Sequence, residues 1–351
     1  MTIAQAAMSK SQHIPVPDEV LELLESFRRP VVVGHVVPDA DCLASMYSVA
    51  TVWSDDGRAP RISLPPGCVS QRLGFLADGL DLHVASPEDF AAADGFVFVD
   101  TAKKNRGNVG KIVADGWSDG RPILNVDHHA SNQQFGQVNW VVPEASSTAE
   151  LVYAIIRAAG RDISPTLASL LYAGIHSDTS GFSLPNTSAS SLRAGADLVA
   201  CGAKVGELGE RLCRSATASE FKLLRVIYAN TKLTDDGLIA YAHADHNDIH
   251  GAGCTAADID SQVDVPRSLS GIQMAILFTE GNEGKIRMNF RGEGGFTVLD
   301  LAKELGGGGH ELAAGAVLHG TIDSVIAKVL PLAADRVRAF RAEQSAPDRA
   351  R

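Results

Sequence analysis

At 351 residues the chain is longer than a typical single domain, so it predicts two domains of moderate size. With 45% hydrophobic and 21% charged residues and no biased tract, it has an ordinary globular composition. Its net charge of −11 argues against coating long nucleic acid by counterion release, although a short nucleotide in a local basic pocket stays compatible with it. Five cysteines (Cys42, Cys68, Cys201, Cys213 and Cys254) without a CxxC pair read as reduced thiols, not as a disulfide framework or a zinc site. The sequence has no basic-then-apolar signal pattern and no apolar run near the length of a membrane span. Together these features predict a soluble cytoplasmic protein without a membrane partner.

The first half alternates short β-branched runs with helical patterns, which predicts a parallel sheet flanked by helices. Strands are expected at Val31-Val32-Val33, Arg61–Leu64, Phe96–Asp100 and Ile123–Asp127. Three of them end in polar groups, Gly34-His35, Asp100 and Asp127-His128-His129, at the strand ends where open α/β sheets bind ligands. Ser147-Thr148-Ala149-Glu150 has capping-box spacing ahead of an apolar helix over Leu151–Ala159. A second helix, from about Pro165 to Gly174, delivers Ile175-His176-Ser177-Asp178-Thr179 at its end. From Ser190 to about Ile227 the pattern is helical apart from glycines near Gly202.

The remainder reads as α+β. Leu233 to Leu238 carries a hairpin signal, and Ile272–Phe278 and Lys285–Phe290 flank a Gly-rich turn. A helix leads into Gly306-Gly307-Gly308-Gly309-His310, followed by Ala313-Ala314-Gly315 and a strand, then a helix from about Ile322 to Arg341. Asp248, His246 and His250 read as a solvated loop without a role.

His35, Asp39 and Asp41 follow the first strand; Asp100, Asp127-His128-His129 and Asp178 follow later elements. Singly, a strand-end aspartate is most often a cap or turn residue. Jointly, converging carboxylates would raise one another's pKa and destabilise the fold unless cations balance them. Two divalent cations match four aspartates charge for charge, and a carboxylate-rich set with few imidazoles suits manganese or magnesium better than zinc. Paired metals about 3.5–4 Å apart are the usual device for in-line hydrolysis at phosphorus. Residue types alone therefore suggest metal-assisted phosphate-ester hydrolysis.

Gly34-His35-x-x-Pro38-Asp39-Ala40-Asp41-x-x-x-Ser45, Val99-Asp100, Asp127-His128-His129 and Gly174-Ile175-x-x-Asp178-Thr179 resemble the four motifs of the DHH phosphoesterase superfamily. The Gly306–His310 run with Ala313-Ala314-Gly315 is similar to the signature of the DHHA1 domain that accompanies one branch of it. The resemblance spans about residues 30 to 320 and is nearest in architecture and length to the bifunctional oligoribonuclease and 3′-phosphoadenosine-5′-phosphate phosphatases, or nanoRNases, and to the stand-alone cyclic-dinucleotide phosphodiesterases. It implies a parallel-sheet DHH catalytic domain with helices on both faces over 15–190, a helical linker over 191–227, a smaller α+β DHHA1 domain over 228–342 and a polar tail over 343–351.

By this resemblance, one cation is held by His35, Asp39 and Asp100, and a second by Asp41, Asp100, His128 and Asp178, with Asp100 bridging. The cations are manganese before magnesium or cobalt, and the water between them is the nucleophile. His129 meets the phosphate as stabiliser or acid, and Asp127 orients a histidine. Gly308, Gly309 and His310 contact the non-scissile end of a nucleotide, and Arg291 takes a terminal phosphate. Ala44 and Ser180 stand where glycine is usual, which touches loop geometry but removes no ligand.

The implied substrates are short RNA, linear dinucleotides such as pApA and nucleoside 3′,5′-bisphosphates, not long duplexes, and a homodimer is compatible with the family. Cyclic-dinucleotide phosphodiesterase is the alternative. A manganese pyrophosphatase ranks lower because it lacks the glycine–histidine run, and a RecJ-type exonuclease because the chain is short and acidic. A catalytically silent nucleotide-binding regulator would be free to lose a ligand, yet all six are present.

Overall fold

The computed structural model describes residues 14–54, 57–109, 120–213, 216–255, 259–309 and 311–345. The chain divides into two compact units, Met1–Ser215 and Ala216–Arg351, so the helices between 189 and 213 belong to the first.

In the first unit, α1 (Asp18–Ser26), β1 (Pro30–Val33), α2 (Ala40–Val52), β2 (Arg61–Ser63), α3 (Pro87–Ala92), β3 (Gly95–Val99), β4 (Ile123–Asp127) and β5 (Val138–Val141) are followed by helices α4 (Thr148–Ala158), α5 (Pro165–Asp178), α6 (Ala189–Ala200) and α7 (Val205–Cys213). The strands form one parallel sheet in the order β2-β1-β3-β4-β5. Its central strands β1 (PVVV) and β3 (GFVFV) read as unbroken apolar runs because both faces are covered. Val32, Val97, Val99, Leu124 and Val126 pack against α2, α4 and α5, while Val31, Val33, Phe96 and Phe98 pack around Phe90 of α3. Because β1 lies between β2 and β3, the chain reverses its winding there, and the carboxyl ends of β1 and β3 flank the reversal, the place where open α/β sheets bind ligands.

The four strands expected in this unit form within one residue at each end. β5 carries no strong sequence signal: four residues with Asn139 at the second are too short for alternation to show. Helix α5 runs past Gly174 to Asp178, so Asp178 lies in its last turn and not in a following loop. Ser164 caps its start by accepting from the Leu167 N–H at 3.2 Å, with Pro165 in the first turn. Only half of the expected capping box forms at α4. Ser147 accepts from the Glu150 N–H at 3.1 Å, but the Glu150 carboxylate turns to the Ser146 N–H and hydroxyl at 2.8 and 2.7 Å.

The second unit contains α8 (Ala218–Ala229), β6 (Lys232–Leu233), β7 (Ile239–Ala244), α9 (His246–Ala252), α10 (Asp264–Arg267), β8 (Met274–Asn282), β9 (Lys285–Gly292), α11 (Leu299–Glu304), β10 (Gly308–Gly309), β11 (Ala313–His319) and α12 (Ile322–Ser345). They build a six-stranded mixed sheet in the order β10-β11-β9-β8-β7-β6, with β7 and β8 parallel and the other pairs antiparallel. Val325, Val329, Ala333 and Val337 of α12 pack on one face with Met288 and Phe290. The stretch around His246 and His250 is helical, not a loop: Asp245 and Asp248 form a reciprocal capping box that the cluster of polar residues disguises.

Among the described residues no helix is long and apolar enough to cross a membrane, and all five cysteines are free thiols.

Candidate metal centre

The centre is assembled at the reversal of the sheet. His35 follows β1, Asp39 and Asp41 flank the start of α2, Asp100 follows β3, His128 and His129 follow β4, and Asp178 closes α5. Asp100 is the hub. It is 3% exposed, and its backbone is left-handed at φ 52°, a conformation that turns the chain sharply as it leaves the sheet. Its carboxylate lies 3.4 Å from His35 Nε2, 3.7 Å from His128 Nε2 and 3.5 Å from His129 Nδ1, and it accepts from the Thr148 hydroxyl at 3.1 Å. His128 Nε2 is also 3.2 Å from Asp178 Oδ2, and His35 Nε2 is 3.9 Å from Asp39 Oδ2.

Most of these imidazole–carboxylate gaps exceed a good hydrogen bond. They are close to the ~3 Å separation of neighbouring ligands on a hard divalent cation bound at about 2.1 Å. Three overlapping groups each gather donor atoms within 4.8 Å: His35, Cys42 and Asp100; Asp100, His128 and His129; Asp41, His128 and Asp178. The donor set therefore fits divalent cations. Cys42, read from the sequence as an ordinary thiol, joins the first group, whereas Asp39 enters none.

Two ligand candidates are fixed by backbone. Asp41, 1% exposed, accepts from the Thr148 and Ala149 N–H groups at 2.8 and 2.7 Å, so the first turn of α4 is capped from α2. Asp39 caps α2 through the Cys42 N–H at 3.0 Å. Asp127 is fully buried, and its Oδ1 accepts from His128 N at 2.8 Å, His129 N at 3.2 Å and His129 Nδ1 at 2.7 Å. Its Oδ2 accepts from Asn132 Nδ2 at 2.6 Å. Thr148 and Asn132 escaped the sequence reading. Thr148 looked like part of a helix cap, and nothing local ties Asn132 to a carboxylate five residues earlier.

Arg291, Gly308 and Gly309 lie in the second unit. Arg291 on β9 pairs with Ala313 of β11, whose next residue Ala314 pairs with Gly309, so all three share one corner of that sheet. The glycine run has a structural use too. A Cβ at Gly307 would sit 2.0 Å from the Gly315 carbonyl, and one at Gly309 2.6 Å from the Ala313 carbonyl, so the chain approaches β11 at these two positions only without side chains, whereas a Cβ at Gly308 would meet nothing within 4 Å. His310 lies outside the described residues.

Electrostatics expose the strain of the carboxylate cluster. Burial, then the neighbouring Asp100 and Asp39, hold Asp41 well above the carboxylate range. Burial with Asp41, Asp39 and Asp100 does the same to Asp178, moderated by the 24% of its side chain that stays in water. Burial would also raise Asp100, but the His35 hydrogen bond and the charges of His129, His35 and His128 outweigh it and hold the group low. Burial opposes a charged His35, yet Cys42, Asp100 and Asp39 carry it up to about 12. His129 likewise rises against burial to about 9, through its bond to Asp127 and the charge of Asp100.

These shifts set a pH dependence for the metal-free protein. Carboxyls raised by folding, as at Asp41 and Asp178, cost nothing below the unfolded carboxylate range and more as pH climbs through their folded values. His129 adds stability that is complete below its ordinary 6.5 and lost as pH rises through about 9. The low Asp100 contributes a constant gain above about pH 5. The metal-free melting temperature therefore falls between about pH 5 and 9, and manganese raises it more at the alkaline end. Calorimetric scans with chelator or manganese across that range check this. A flat metal-free profile contradicts it.

Residues 29–175 match the family model described as the DHH family, N-terminal domain, and residues 236–340 match the DHHA1 domain. The bifunctional oligoribonuclease and PAP phosphatase NrnA of Thermus thermophilus is 29% identical over 315 residues, covering 89% of this chain and 91% of that protein. The protein of the same name from Bacillus subtilis is 27% identical over 304 residues, covering 86% and 93%. Among solved structures, an exopolyphosphatase-related protein from Bacteroides fragilis shares the fold with a TM-score of 0.81 at 21% identity, over 93% of this chain and 96% of that one. With one domain model after the other along most of its length, and with the Asp–His cluster at the sheet reversal, the chain belongs to the DHH family with an attached DHHA1 domain and is a metal-dependent phosphoesterase.

Proposed function

We propose that the protein hydrolyses phosphate esters of short nucleotides: very short RNA, linear dinucleotides such as pApA, or 3′-phosphoadenosine 5′-phosphate. The observation that carries this reading is the convergence of His35, Asp41, Asp100, His128 and Asp178 on overlapping donor groups at the sheet reversal. The likeness to the oligoribonuclease and PAP phosphatases over nine-tenths of their length supports the choice of substrate.

Two divalent cations, manganese before magnesium or cobalt, would lie with His35, Asp39 and Asp100 and with Asp41, Asp100, His128 and Asp178. When bound they acidify an attacking water and offset the charge of the phosphate. His129 is set up as the proton donor. Its Nδ1 is committed to Asp127, so donation to a phosphoryl or leaving oxygen falls to Nε2, and its raised pKa keeps it charged near neutrality. Asp127 fixes the orientation of that ring. Arg291 with Gly308, Gly309 and His310 holds the terminal phosphate and its nucleoside, which selects short substrates.

The test is parallel hydrolysis, with manganese, of pAp, pApA, cyclic di-AMP, a five-residue RNA and pyrophosphate. Mononucleotide release from the linear substrates is the expected result. Exclusive turnover of cyclic di-AMP or pyrophosphate, or of nothing, overturns the assignment. Arg291→Ala is expected to raise KM for pApA roughly 10- to 100-fold with kcat little changed, as fits ~1.5–3 kcal/mol for a charged hydrogen bond made equally in ground and transition states. A fall confined to kcat removes Arg291 from phosphate anchoring.

A further inference from the structure

Cys42 occupies a place in the centre that carboxylates and imidazoles alone do not fill. It lies in the first turn of α2 and is fully buried. The bare backbone of Gly34 makes the room: a Cβ there would come within 2.3 Å of Cys42 Sγ and 2.5 Å of Met46 Sδ. In that space Sγ, a ring nitrogen of His35 and a carboxylate oxygen of Asp100 all lie within 4.8 Å of one another. Asp39, the carboxylate expected beside His35 and Asp100, is the outlier. Its side chain is 56% exposed and its Oδ1 is engaged as the cap of α2, and no group of three donors among the described residues includes it.

A nitrogen, a sulfur and an oxygen converging in this way form a donor set of mixed softness. Ligands on a tetrahedral ion with a metal–sulfur bond of about 2.3 Å and metal–nitrogen bonds of about 2.0 Å are on the order of 3.5 Å apart, within reach of this spacing. We propose that Cys42 is a ligand for thiophilic divalent cations at the first metal position, so that Zn2+, Co2+ or Cd2+ is held there by Cys42, His35 and Asp100. Manganese, which prefers oxygen, leaves the thiol protonated and unbound. Binding of the soft ion breaks the Sγ–H bond, forms a metal–sulfur bond and releases the proton to solvent, with no change in oxidation state. Cys42 thereby sets which cations the centre retains. The inference rests on the reading that His35 and Asp100 hold a cation.

Cobalt titration of metal-free protein tests it without an activity assay. Wild type is expected to show a near-ultraviolet sulfur-to-cobalt charge-transfer band that is absent in Cys42→Ser and Cys42→Ala. In both variants zinc affinity should fall by about tenfold or more, with manganese affinity changed by less than about threefold. Zinc-loaded wild type needs no substitution, and its X-ray absorption should show a sulfur neighbour at about 2.3 Å. Cobalt bound with visible d–d bands but no charge-transfer band, or a zinc shell of nitrogen and oxygen only, overturns the role of Cys42 and leaves the His35–Asp100 position standing. A band that persists in both variants assigns the sulfur elsewhere and overturns it equally. Binding of neither cobalt nor manganese sinks the metal centre as a whole, and with it this inference.

Discussion

Asp100→Asn is expected to abolish the manganese-induced rise in melting temperature and to lower phosphoester hydrolysis roughly 10³-fold or more. Asparagine is the right replacement because the backbone at this position is left-handed, at φ 52°, and asparagine enters that region more readily than other L residues with a side chain of this size. The substitution therefore changes charge and leaves the turn intact. Asp100 is within 3.4–3.7 Å of His35, His128 and His129, so it is the anion common to two of the three donor groups. Without it those imidazoles face one another, and the raised pKa values of His35 and His129 should drop. Ligand saturation at 100 times Kd stabilises a protein by about 2.7 kcal/mol, a shift that thermal scans resolve easily. A variant that gains as much from manganese as wild type does would remove Asp100 from the centre.

Asp127→Asn tests the other buried carboxylate and should lower stability by roughly 2–4 kcal/mol. The wild-type carboxylate accepts three donors at Oδ1 and one at Oδ2. An amide has only one oxygen, so its NH2 must oppose either the Asn132 amide or the three N–H groups of His128 and His129. In a site with no access to water neither choice is satisfied. A loss of this size lowers the melting temperature by roughly 5–15 °C in a unit of this length. Activity should fall about 10²- to 10³-fold, because His129 loses the partner that orients it and keeps it protonated. Adding Asn132→Asp supplies an acceptor for the new NH2, and part of the stability should return. Turnover should not return, since the negative charge is then one side chain removed from His129. Joint recovery of both would show that Asp127 acts through stability alone.

The strands β1, β3 and β4 and the order of the polar motifs were legible because each of these buried parallel strands is a largely apolar run that leads into a conspicuous polar residue. His35, Asp100 and His128 were therefore visible as strand-end groups before any geometry was known. The last turn of α5 was less legible: glycine at position 174 suggests a helix end, but tertiary packing carries the helix on to Asp178. Contacts between distant segments left no local trace. Thr148 donates to Asp100 across 48 positions, and Asp41 accepts from Thr148 and Ala149 across more than 100. Cys42 was invisible for a related reason. A thiol beside two aspartates in sequence looks inert until the fold brings His35 and Asp100 to its sulfur.

The double engagement of Asp41 bears on how this centre can decay. Its carboxylate closes the first turn of α4 whether or not a cation is present, and Asp127 ties the loop after β4 in the same unconditional way. A descendant released from selection for hydrolysis would still lose fold stability on changing either one. His35 and Asp178 carry no comparable structural duty and could drift at little cost, whereas Asp39 keeps its place as the cap of α2 through the Cys42 N–H. Persistence of Asp41, Asp127 and Asp39 in a relative is thus weak testimony to activity, whereas persistence of His35 and Asp178 is strong.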